Sequence, residues 1–113
     1  MSLNIAVVDD LALERTMLAD FICKYCTEHR IAANLIHFTN GEELLADFVA
    51  QKFDIIFLDI YMSGLNGIDT AKQLRKIDTA CRLVFVTNSD QHAVQGFRVR
   101  AFDYLLKPYA FMR

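Results

Sequence analysis

The sequence lacks most of what would divide it, or draw it to a membrane or to nucleic acid. Its 113 residues contain one proline, Pro108, and no Pro/Gly/Ser-rich linker, internal repeat or low-complexity tract. That length is near the commonest domain size and allows one sizeable core. Basic residues do not exceed acidic ones. At a net charge of −2 there is no global basic field to attract nucleic acid or anionic lipid. No apolar run approaches the roughly 20 residues needed to span a bilayer. The first residues do not show a basic segment followed by a long apolar one. Three cysteines, an odd number without disulfide-framework spacing, make a reducing cytoplasm the expected setting.

What is present is a high apolar content, 54%, which suits a sheet covered on both faces. Short apolar runs read as strands at 3–8, 31–38, 53–58, 82–87 and 102–106. They show too little polar alternation for a half-wet sheet and fit buried parallel strands. Helical spacing lies between them. Met17, Leu18, Phe21, Ile22 and Tyr25 form one face of a helix over 11–28. Thr39 followed by Glu42 is a capping-box pattern for a second helix that buries Leu44, Leu45, Phe48 and Val49. Ile68, Ala71, Leu74 and Ile77 mark a third. A fourth, over 90–98, is weakened by Gly96, at about 1 kcal/mol relative to Ala. Strict β-α alternation predicts an α/β fold, a flavodoxin-like doubly wound parallel sheet of five strands in the order 2-1-3-4-5. A fifth helix would be truncated at "PYAFMR". Residues 1–113 are therefore expected to be one domain from a longer protein.

In such sheets, sites form outside the carboxyl ends of the strands. Strand one ends in Asp9 and Asp10, strand three at Asp59, strand four at Thr87 and strand five at Lys107. Close carboxylates raise one another's pKa, and a hard divalent cation such as Mg²⁺ relieves that strain through oxygen ligands. Metal, lysine and threonine hydroxyl together suit a phosphoryl group, with a carboxylate as nucleophile.

"VVDD", "FLDIYMSGLNG", "VFVT" and "FDYLLKP" occur in order, at spacings over nearly the whole chain that resemble a response-regulator receiver domain of two-component signalling. "VTNSDQHAVQGF" followed by "FDYLLKPY" also resembles receivers that precede a LytTR-type DNA-binding domain. The resemblance implies that Asp59 accepts phosphate from a sensor histidine kinase. Asp10 and Asp59 would ligate Mg²⁺, with Asp9 acting through a water and the Tyr61 backbone carbonyl as a further ligand. Thr87 and Lys107 would bind the phosphoryl oxygens, and Tyr104 would swing inward as Thr87 moves. Asn88, with Tyr61 and Ser89, would tune access to the acceptor. Lys107–Pro108 would be a cis peptide bond, as is usual for this family. The implied protein is cytoplasmic, forms a homodimer on phosphorylation, and reaches DNA only through an output domain outside these residues.

Two departures stand out. Ser63 follows Met62 where the family often has proline, which predicts a less stiff loop. Asn88 follows Thr87 where a smaller residue is usual, which predicts slow autodephosphorylation.

Plainer readings compete. Asp9 and Asp10 could simply cap a helix beginning near residue 11. Asp59 could be a turn residue, Thr87 a strand end, Lys107 a surface lysine and Tyr104 plain core. Cys23 and Cys26 lie mid-helix rather than at the helix start that activates thiols. With His29 they still lack a fourth ligand for structural zinc. Rival functions are a phosphorylation-independent pseudo-receiver and an Asp-nucleophile phosphohydrolase. The hydrolase would want an acid two residues after Asp59, where Tyr61 stands.

Overall fold

The apolar runs become strands, and their mutual register fixes where the polar residues end up. A computed structural model describes residues 2–50, 52–88 and 91–107. Strands β1 (Ser2–Val8), β2 (Ala32–Phe38), β3 (Ile55–Leu58), β4 (Arg82–Thr87) and β5 (Asp103–Leu106) alternate with helices α1 (Ala12–Glu28), α2 (Gly41–Asp47), α3 (Gly67–Arg75) and α4 (Ala93–Arg98). All strand pairs are parallel, in the order β2-β1-β3-β4-β5. Val8 pairs with Phe38 on one side and Leu58 on the other, Leu58 with Phe85, and Thr87 with Leu106. The carboxyl ends of all five strands therefore finish along one edge.

Alternate residues of each strand feed opposite faces. On one face Ala6, Val8, Ile56, Leu58 and Phe85 pack with Leu44, Phe48, Ile68 and Leu74. On the other, Ile5, Val7, Val84 and Val86 meet Leu18, Ile22 and Cys26 of α1. There Leu3, Ile55, Phe57 and Leu105 are only partly covered, and with α1 they line an apolar recess of about 230 Å³. The expected fifth helix and the Lys107–Pro108 bond lie outside the described residues, as does Ser89. No helix among the described residues is long and apolar enough to cross a membrane.

The helices depart in detail from their sequence pattern. The inner face of α1 is Leu18, Ala19, Ile22 and Cys26, while Met17 and Tyr25 are 42% and 51% exposed. Small Ala19 and Cys26 let the helix lie close to the sheet, and ranking residues by size overlooks them. The cap of α2 sits one residue later than expected. Glu43 N donates to Asn40 Oδ1 at 2.8 Å, and Thr39 N donates to Glu43 Oε1 at 2.8 Å. After Asp47 the chain becomes extended, which turns Phe48 inward and leaves Val49 exposed. Ile77 lies beyond the end of α3 and is also exposed. Helix α4 is only six residues long. A Cβ at its buried Gly96 would stand 3.3 Å from Tyr104 Cδ2 and 3.4 Å from Phe85 Cδ2. Close packing thus accounts for a residue that helix propensity disfavours.

Candidate functional site

Backbone hydrogen bonds continue past the strand ends and hold the site residues in place. Asp9 N donates to Phe38 O at 3.2 Å, Asp59 N to Val8 O at 3.1 Å, and Lys107 N to Thr87 O at 2.8 Å. The backbone at Asp59 is further set by α3. Gly67 N donates to Ile60 O at 2.8 Å, and a Cβ at Gly67 would lie 2.1 Å from Asp59 O. Only glycine lets the helix start this close to the strand tip.

Asp9, Asp10 and Asp59 each offer an oxygen within 4.8 Å of the others. Lys107 Nζ lies 3.0 Å from Asp9 Oδ2, 3.3 Å from Asp59 Oδ2 and 2.6 Å from Glu14 Oε1. Three carboxylates therefore converge on one ammonium, with Asp10 beside them. Burial pushes the Asp59 carboxyl up from an ordinary 3.8 to about 6, with Asp9 adding to the rise, while Lys107 pulls it down. Burial alone would lower the lysine. The hydrogen bonds it donates to Glu14 and Asp9, with the charge of Asp59, instead lift it above its usual range.

Such a cluster fits a divalent cation on three grounds. Its donors are all hard oxygens, its negative charge exceeds its positive charge, and the Asp59 carboxyl is destabilised as an anion. The Thr87 hydroxyl oxygen is buried and, among the described residues, has no hydrogen-bond partner. Buried hydroxyls are seldom left so, and an arriving oxyanion would supply what it lacks.

The other expected residues take up surrounding positions. Tyr61 packs edge-on against His92, with centroids 5.4 Å apart, and its hydroxyl accepts from Gln91 Nε2 at 2.6 Å. It therefore links the β3–α3 loop to the start of α4. Asn88 is exposed beside Thr87. Tyr104 is half-buried, its ring 6.0 Å from that of Phe85. Asp9 also accepts from Leu11 N at 3.0 Å, but the N-cap of α1 is Leu11 and no side chain caps that helix. Cys23, Cys26 and His29 do not form a metal-holding group among the described residues.

Two contributors escaped the sequence reading. Glu14 looked like one more charge on the wet side of α1, although its place one turn after the acidic pair was an available signal. Ser63 was expected to loosen its loop. Instead its N and Oγ donate to Asp10 Oδ2 at 3.0 and 3.2 Å, and Leu65 N donates to Glu42 Oε2 at 3.1 Å.

Comparison with known proteins gives the family. The sensory transduction protein LytT of Bacillus subtilis (strain 168) is 38% identical over 107 residues, covering 95% of this chain and 43% of its own length. The chain thus spans less than half of that relative. The chemotaxis protein CheY of Thermotoga maritima is 32% identical over 111 residues, covering 96% of this chain and 88% of CheY. The solved response regulatory domain of mrkE from Klebsiella pneumoniae is 30% identical with a TM-score of 0.78, covering 95% and 84% of the two chains. The family model for the response regulator receiver domain matches residues 5–113. The chain therefore belongs to the response regulator receiver domains, the phosphorylation-dependent switches of two-component signalling.

Proposed function

We propose that this receiver is switched by phosphorylation of Asp59. A carboxylate oxygen of Asp59 attacks the phosphorus of a phosphohistidine on a sensor histidine kinase. The new O–P bond forms as the P–N bond breaks, and the imidazole nitrogen leaves with the bonding electrons and takes a proton. Asp10 and Asp59 would hold Mg²⁺, with Asp9 acting through a water and the Tyr61 carbonyl as a further ligand. The ion, when bound, supplies positive charge against the phosphoryl oxygens. Lys107 is already within 3.3 Å of Asp59 and adds its own charge. That contact, made together with Asp9, is the observation that carries the reading.

The buried Thr87 hydroxyl then closes on the phosphoryl group, vacating space into which Tyr104 turns. The change is a shift between two populations. The domain acts as an acceptor and turns over no separate substrate, since Tyr61 stands where a hydrolase would want an acid. In a cytoplasmic regulator built like LytT, the shift would promote homodimerisation and control a DNA-binding output domain.

Intact mass after incubation with acetyl phosphate and Mg²⁺ tests this. The expected result is a phosphate-sized gain that disappears in Asp59→Asn. No gain at saturating donor would favour the phosphorylation-independent module.

A further inference from the structure

Asp10 is held differently from its neighbours. Asp9 and Asp59 are buried and share Lys107, whereas Asp10 is half-buried and has no ion pair among the described residues. Both hydrogen bonds that its carboxylate accepts there come from one residue, Ser63, and both fall on one oxygen, Oδ2. Two donors on a single oxygen fix the position of the carboxylate and occupy that oxygen. The other oxygen is left for a cation.

The donor is itself anchored. The loop is tethered to α2 through Leu65 N and Glu42 Oε2, and Gly67 presses against Asp59 O at its end. A proline at position 63 would lack the N–H, and alanine would lack the hydroxyl.

We propose that Ser63 is a positioning residue for the metal. It pins Asp10 within reach of Asp59, so that a divalent cation meets carboxylates already arranged, and it ties the β1–α1 loop to the β3–α3 loop. Partners of this kind, standing behind a ligand, govern metal affinity through the ligand's orientation. The inference rests on reading the acidic cluster as a Mg²⁺ site.

The test is calorimetric titration of MgCl₂ into the wild type, Ser63→Ala, Ser63→Thr and Ser63→Pro. Thermal unfolding in EDTA runs alongside. Ser63→Ala is expected to weaken Mg²⁺ binding about tenfold, Ser63→Thr to restore most of it, and Ser63→Pro to weaken it furthest. The metal-free unfolding temperature of Ser63→Ala should stay near that of the wild type. Wild-type binding matched within twofold by Ser63→Ala would overturn the inference while leaving the site intact. So would a loss that threonine does not rescue, or one that merely tracks a drop in metal-free stability. A wild type that takes up no Mg²⁺ would remove the site reading and the inference with it.

Discussion

The two ends of the parallel sheet carry polar networks of opposite kinds. At the amino-terminal ends of β4 and β5, Arg75 donates to the carbonyls of Val99 and Cys81 at 2.8 Å each, Arg100 at 3.0 Å and Asp78 at 3.3 Å. Asp78 Oδ1 accepts from the amides of Ala80 and Cys81 at 2.7 and 3.0 Å. Donors and acceptors there meet one another within the protein. At the carboxyl end, three carboxylates face Lys107 and Asp10 lies beside them. Two buried side-chain atoms there, Thr87 Oγ1 and Arg15 Nε, have no partner among the described residues. Both networks are partly buried, so burial of polar groups does not by itself mark function. Unmet bonding capacity does.

The comparison can be broken from either side. The largest effect is expected from Gly67→Ala, whose Cβ would collide with Asp59 O and push α3 away from the strand tip. Urea denaturation should show a loss of about 3 kcal/mol or more, together with impaired phosphorylation. Next comes Arg75→Met, which strands several carbonyls of the closed network. It should cost about 2 kcal/mol yet leave the phosphate mass gain at Asp59 intact. If it abolished that gain, the two ends would not be separable.

A smaller effect concerns pH. The carboxyl of Asp59 is raised from 3.8 to about 6 in the fold, so its contribution to stability is full below the lower value and is lost as pH rises through the higher one. Metal-free protein should therefore lose thermal stability between about pH 4 and 6 on account of this residue. Added Mg²⁺ should raise the unfolding temperature more at pH 7.5 than at pH 5. Equal rises at both would contradict the assignment of Asp59 as a buried, metal-responsive carboxylate. The smallest expected change is kinetic. Asn88→Ala should speed decay of the phosphorylated protein by opening the exposed position beside Thr87, and equal decay rates would remove Asn88 from the account.

How much could be read beforehand follows the same division. The strands were legible because buried parallel strands are nearly unbroken apolar runs, and their order followed from β-α alternation. Helix faces were less so, since Ala19 and Cys26 pack by being small and Asn40 took the cap from Thr39. Asp9, Asp10, Asp59, Thr87 and Lys107 could be found because each interrupts an apolar run at a strand end. Ser63 and the Tyr61–Gln91 contact could not, because they depend on how two loops approach through space. Arg75 left no trace in the sequence at all, since its partners are backbone carbonyls, which every residue has.

The contact between Lys107 and Asp9 joins positions 98 apart in sequence. During synthesis the acidic corner is therefore made long before its counter-charge leaves the ribosome. A nascent or half-folded chain carries the carboxylates without the ammonium that organises them. The corner thus gains its counter-charge only once the last strand has docked on β4.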